Sequence, residues 1–214
     1  MIDIGRHIDI ALGRDGELGL LPPSRDLVPH FVRASQDDLC RKVFQQYADM
    51  TEAELFAYVE KLPLGRCWSK IDKVPVYWFW LVLFDENGHP KDVAGDMNVN
   101  IAQSPVGAQV DVCHFGYHVL PQFRGHRYAA RAIRLTFPLL RAHGVSEAWI
   151  TCHPSNTASR RACEIAGARL VDIVDVDRSN PRSENIGEDR LCRYVLPIEG
   201  EPSVGGDGKP APQP

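Results

Sequence analysis

The sequence predicts an α+β domain, a mixed and mostly antiparallel sheet with helices packed against it. Three observations predict this. Strand-like runs at 74–84, 93–101 and 110–120 follow one another through short loops, as in an antiparallel meander. The third run enters a tight turn and then an amphipathic helix over 124–142. A further strand at 147–152 follows that helix, and a strand–helix–strand crossover is right-handed and leaves its two strands parallel.

The elements follow in order. Residues 8–12 read as a short strand, turned by Gly13-Arg14-Asp15-Gly16 into a second at 17–21 that Pro22-Pro23 stops. Ser24 is placed to cap a helix carrying Leu27, Val28 and Phe31 on its apolar side, and a second helix is expected over 37–47. Thr51 and Glu54 form a capping box ahead of Leu55, Tyr58, Val59 and Leu62 at helical spacing. The run 74–84 is apolar on both faces, so both faces are buried. Asp85-Glu86-Asn87-Gly88 is a hairpin turn, and 103–107 is a second loop. Pro121 ends the third strand, Pro138 interrupts the helix that follows, and Gly144 stops it. Asn156 caps a helix over 157–166 that Gly167 ends. Strands at 168–176 and 190–197 flank a polar loop at 177–189.

Composition narrows the function. The 214 residues suit one domain, expected over 1–198, with a Gly/Pro-rich disordered tail over 199–214. The net charge is −4 with no run of Lys or Arg, which argues against a nucleic-acid partner. The longest apolar run, 74–84, is too short to cross a membrane as a helix, and the chain opens with no signal-peptide pattern. Six scattered cysteines without a C-x-x-C pair read as reduced thiols of a cytoplasmic protein. Neither they nor the eight histidines show metal-ligand spacing, so no metal is expected.

The chemistry concentrates in the turn after the third strand, Gln122-Phe123-Arg124-Gly125-His126-Arg127-Tyr128-Ala129. Gly125 lets a ligand approach the backbone, and the first helical amides are unpaired at the positive end of the helix dipole. Such a turn suits a phosphate or pyrophosphate. The turn resembles motif A of the GNAT acyltransferase superfamily, Gln/Arg-x-x-Gly-x-Gly/Ala, with Arg127 standing where Gly or Ala is usual. A residue in helical conformation does not need Gly, so Arg127 is expected there with its side chain outward. Asn156-Thr157-Ala158-Ser159-Arg160-Arg161-Ala162-Cys163-Glu164-Ile165-Ala166-Gly167 is similar to the Asn-x-Ala-Ser-x-Arg-x-x-Glu-x-x-Gly signature of the branch that includes the ribosomal-protein N-terminal acetyltransferases.

The resemblance implies the GNAT fold, its central parallel pair splayed at an acyl-CoA site, and an N-acetyltransferase using acetyl-CoA. The acceptor would be the primary amine of a small molecule or peptide, and a homodimer stays open. A non-catalytic acyl-CoA-binding module on the same fold is the alternative. On this reading the amides of the turn hold the pyrophosphate, and the pantetheine lies like an added strand along His118, Val119 and Leu120. Asn156, Ser159 and Arg160 lie at the start of the next helix on the thioester side. Arg127, Arg131 and Arg160 are candidates for the 3′-phosphate. The Val119 amide resembles the superfamily's oxyanion donor. Where many members carry a Tyr that protonates the leaving thiolate, this chain has Cys163, so Ser159 and Tyr117 become the substitutes. His114 is the expected base, with His118 and Asp111 as further options. Strand alternation puts His114 and His118 on one face and Tyr117 on the other, unless a bulge intervenes.

Overall fold

Burial on both faces of the 74–84 run follows from what covers it. In the computed structural model this run is strand β4 (Pro75–Phe84), preceded by β1 (Arg14–Asp15), β2 (Leu18–Leu21), helices α1 (Val28–Ser35) and α2 (Glu52–Glu60), and β3 (Arg66–Trp68). The structure describes residues 2–35, 50–61, 65–69, 73–101, 113–176, 178 and 189–198. The expected helix at 37–47, the loop at 103–107, Asp111, most of the loop at 177–189 and the tail at 199–214 lie outside the described residues. One face of β4 sends Trp78, Trp80 and Val82 into a cluster with Leu27, Phe31, Leu55 and Val59 beneath α1 and α2. Phe31 stacks on Trp80 at 4.9 Å. The other face sends Tyr77, Phe79, Leu81 and Leu83 into the larger core with Ile133, Leu139, Leu140 and Ile150.

The Asn-Gly turn forms as its chemistry requires. Gly88 takes a φ of 81°, and the Asp85 carboxylate accepts the amides of Asn87 and His89. It leads into β5 (Pro90–Asn100), which pairs antiparallel with β4 and with β6 (Phe115–Val119). The capping box at α2 is complete, with Glu54 N–H donating to the Thr51 hydroxyl and Thr51 N–H donating to the Glu54 carboxylate at 2.8 Å.

Three expectations are corrected. The first hairpin is built from Arg14–Asp15 against Leu18–Leu21, and 8–12 is not a strand. That segment instead lies near β4, where the Tyr77 hydroxyl accepts the Ile8 amide. Ser24 makes no side-chain cap, and a 3-10 turn, Arg25–Leu27, leads into α1. The helix expected over 124–142 starts only at Tyr128 and divides into α3 (Tyr128–Leu135) and α4 (Phe137–Ala142). Pro138 has no N–H to offer the Arg134 carbonyl one turn back, and its ring collides with that carbonyl.

Strand β7 (Glu147–Cys152), helix α5 (Thr157–Ala166), β8 (Arg169–Asp175) and β9 (Arg190–Pro197) complete the chain. They form a second sheet, ordered β7-β9-β8 and antiparallel throughout. The expected parallel pairing of β6 with β7 is absent among the described residues. The two sheets touch at His114, whose N–H donates to the Trp149 carbonyl at 2.8 Å. Beyond that bond the far edge of β6 has no strand beside it among the described residues, so the two strands touch at one end and part toward Val119, the splay that was expected.

Candidate active site

The open edge of β6 defines the site. Leu120 N–H bonds to Ala94 on β5, and the His114 carbonyl accepts Asn100 N–H from the same strand. Antiparallel alternation then turns the backbone groups of Tyr117 and Val119 the other way, into the gap between the sheets. His118 and Leu120, expected to offer backbone to a ligand strand, face β5 instead. Val119 carries that role, although its carbonyl already accepts from Arg124 Nε at 3.1 Å. Its N–H points into the gap.

At the mouth of the gap, Pro121–Phe123 forms a 3-10 turn, and Gln122 Nε2 ties it to the Ala34 carbonyl of α1. Gly125 follows with a φ of 90°, and a Cβ built there would meet no atom within 4 Å. The turn is therefore open, and backbone conformation rather than crowding selects glycine. Arg127 caps α3 at φ 60° and ψ 20°, in the left-handed region, so the expectation of a helical residue is corrected. Of the motif's two usual residues, Gly is the one suited to this conformation. The first backbone bond inside α3 runs from Arg131 to Arg127, so the amides of Tyr128, Ala129 and Ala130 have no intrahelical acceptor. Arg124, Gly125, His126 and Arg127 are exposed around them.

The ring of Tyr128 is buried, with His126 stacked on it at 5.3 Å. Arg131 binds Asp15 and Glu17 of the β1–β2 hairpin, which holds the Glu17 carboxyl down at about 2. It clasps the hairpin to α3. Arg160 donates to the Tyr194 hydroxyl and the Pro154 carbonyl. Of the three arginines proposed for a 3′-phosphate, Arg127 alone has no side-chain hydrogen bond among the described residues. Asn156 caps α5 by accepting Ser159 N–H at 3.0 Å.

The two faces of β6 carry different chemistry. Its ladder with β5 runs one for one from Phe115 to Val119 without a bulge, so alternation holds. Tyr117 points toward α5, where its hydroxyl lies 2.9 Å from Ser159 Oγ and 3.8 Å from Cys163 Sγ. Burial raises its pKa strongly and keeps the phenol protonated. The hydrogen bond with the neighbouring Cys152, and then burial, raise that of Cys163 likewise. The Tyr117 hydroxyl therefore lies beside position 163, reaching it from the strand.

His118 points to the opposite face, toward α1 and α2. Its Nδ1 lies 3.0 Å from Asp96 Oδ1, and Asp96 Oδ2 accepts Trp78 Nε1–H at 3.3 Å. Asp96 is 5% exposed, while the His118 side chain is 53% exposed. Hydrogen bonding to Asp96 raises the His118 pKa above 6.5, against the opposing effect of desolvation. Asp96 was missed in the sequence. Its signal was the period-two polar run Asp96, Asn98, Asn100 inside an otherwise apolar strand.

His114, the base expected from sequence, is fully enclosed. Its Nδ1 accepts Trp149 N–H at 3.0 Å. A neutral imidazole that accepts at Nδ1 carries its proton on Nε2, so it has no second lone pair for a substrate proton. The geometry makes His114 the pin between the sheets.

A split sheet with an amide-lined turn at its mouth is the architecture of an acyl-CoA-dependent transferase. Residues 17–169, well over half of the chain, match the family model described as acetyltransferase (GNAT) domain. The chain belongs to that family of acetyltransferases. No curated protein matches it in sequence. Among solved structures it is similar to the microcin C7 self-immunity acetyltransferase MccE in complex with acetyl-CoA and AMP, at 14% identity and TM-score 0.58, covering 88% of this chain and 99% of that one. A GNAT-family acetyltransferase from Bacillus anthracis aligns at 16% identity and TM-score 0.57, covering 89% and 100%. RimL, the ribosomal L7/L12 α-N-protein acetyltransferase in complex with coenzyme A, aligns at 15% identity and TM-score 0.55, covering 87% and 97%. At these identities the likeness is one of fold.

Proposed function

We propose that the chain transfers an acetyl group directly from acetyl-CoA to the primary amine of a small molecule or peptide. The observation that carries this reading is the division of labour across β6, with a proton acceptor on one face and a protonated phenol on the other, beside an open strand edge. When bound, acetyl-CoA supplies the activated acyl group as its thioester. The amides of Tyr128–Ala130 with Gly125, His126 and Arg127 suit its pyrophosphate, because they are unpaired at a helix N-terminus and no Cβ stands over Gly125. The Val119 N–H faces the gap and is placed to donate to an acyl oxygen.

His118 is the base in this reading. The Asp96 hydrogen bond fixes the proton of the neutral ring on Nδ1, which leaves Nε2 as the basic nitrogen on a half-exposed ring. An ammonium acceptor arriving on the α1–α2 side gives its proton to Nε2, and buried Asp96 stabilises the resulting imidazolium. On the far face, Tyr117 with Ser159 Oγ offers a hydroxyl proton to a departing thiolate. A thiolate of pKa about 8.5 needs no more than a hydrogen bond to leave.

The test is release of free CoA from acetyl-CoA across a panel of amines, beside thermal stabilisation by acetyl-CoA alone. Turnover with at least one primary amine is expected. Stabilisation without turnover on any amine would favour the non-catalytic acyl-CoA-binding reading, which the absence of a Tyr at position 163 supports. Gly125→Glu should abolish the stabilisation, because it sets a carboxylate among the amides.

A further inference from the structure

A cavity of about 340 Å³ lies away from the gap. Its sheet wall is Tyr77 and Phe79 of β4, and β5 stands between that strand and β6. The N-terminal segment Ile8–Ala11, Pro22, Arg66 of β3 and Leu139 of α4 complete the lining. The volume is at the small end of the range for small-molecule sites. Nothing in the acetyl-transfer reading uses it.

The lining is mostly apolar, with one ion pair, Arg66 with Asp9. Tyr77 and Phe79 present parallel rings 6.3 Å apart. The Tyr77 hydroxyl is committed, accepting Ile8 N–H and lying 2.7 Å from His143 Nε2. The Arg66 side chain is 22% exposed, and the carboxylate it meets, Asp9, is 82% exposed. Its Nε is buried, with no hydrogen-bond partner among the described residues. A guanidinium presents five donors in a fixed fork, and a counter-ion that stands mostly in water holds it weakly.

We propose that this cavity binds a monocarboxylic acid with a compact apolar body. The carboxylate would exchange with Asp9 on the guanidinium and satisfy the orphaned Nε–H, a bidentate match that a neutral or cationic group cannot make. The apolar body would lie against Phe79, Leu139 and the Ile8–Ala11 segment. Asp9 is then an internal competitor for Arg66, displaced when the acid enters.

That competition makes the test sharp. Octanoate and indole-3-acetate are titrated against the protein saturated with CoA, which keeps the gap filled, and each is compared with its primary amide. One or both acids should raise the melting temperature and both amides should not. Arg66→Gln should lose the effect while still being stabilised by CoA, which shows that the variant is folded. Asp9→Asn should bind the acid severalfold more tightly, because the competitor is gone. An Asp9→Asn variant that binds more weakly, or amides as effective as acids, would overturn the proposal, as would acids that stabilise Arg66→Gln undiminished.

Discussion

At His118 one hydrogen bond sets both the tautomer and the titration of the ring. The rate needs the neutral form, so kcat/KM should fall as pH drops through the raised pKa of His118. Asp96→Asn removes the charge that raises it, and the acidic limb should move down toward the ordinary imidazole value near 6.5. The stability contribution of the pair has the opposite sense. It is complete below 6.5, where the ring is charged in both states, and is lost as pH rises through the folded value. His118→Ala should lower kcat by roughly 100- to 10,000-fold, the usual worth of a general base, with acetyl-CoA affinity retained. A pH–rate profile for the three proteins decides the matter, and an Asp96→Asn limb that does not move would remove Asp96 from the mechanism. Sequence reasoning could name His118 but not rank it above His114, because both lie on the same face of one strand. Burial and the partner at Nδ1 separate them, and both depend on β5 and β7 folding alongside.

Elements show the same boundary between what a sequence carries and what packing decides. The Asn-Gly turn, the Thr51 capping box and the Asn156 cap depend on neighbours within a few residues, and all three formed as read. The start of α3 did not, because the backbone at Arg127 is set by the 3-10 turn and the Gln122 tie to α1. A non-glycine residue in the left-handed region costs roughly 1–2 kcal/mol. Arg127→Gly should therefore raise stability by about 1 kcal/mol, seen as a higher chemical-denaturation midpoint. If Arg127 also meets a phosphate, the same variant should bind CoA more weakly, and CoA titration by calorimetry separates the two effects. No gain in the midpoint would mean that the surrounding turn already absorbs the strain.

For the molecule as a whole, the α+β order and the meander were readable because they follow from periodicity and turn chemistry along the chain. The division into two sheets was not, since it rests on contacts between residues far apart in sequence, His114 and Trp149 above all. If the sheets move against each other, that contact is the pivot. A lever arm runs from it along β6 to the amide-lined turn, and an object wedged in the gap acts at the far end of the arm. Closing on a ligand would load the pivot, so the Trp149 amide becomes a gauge of how far the jaws are open. Hydrogen exchange at Trp149 N–H should slow when CoA binds, because the pin and the amide-lined turn stand at opposite ends of β6. His114→Ala removes the Nδ1 acceptor, and in that variant the amide should exchange quickly with and without CoA. Equal exchange in the wild type with and without CoA would mean that the jaws are already fixed and the ligand enters a rigid slot.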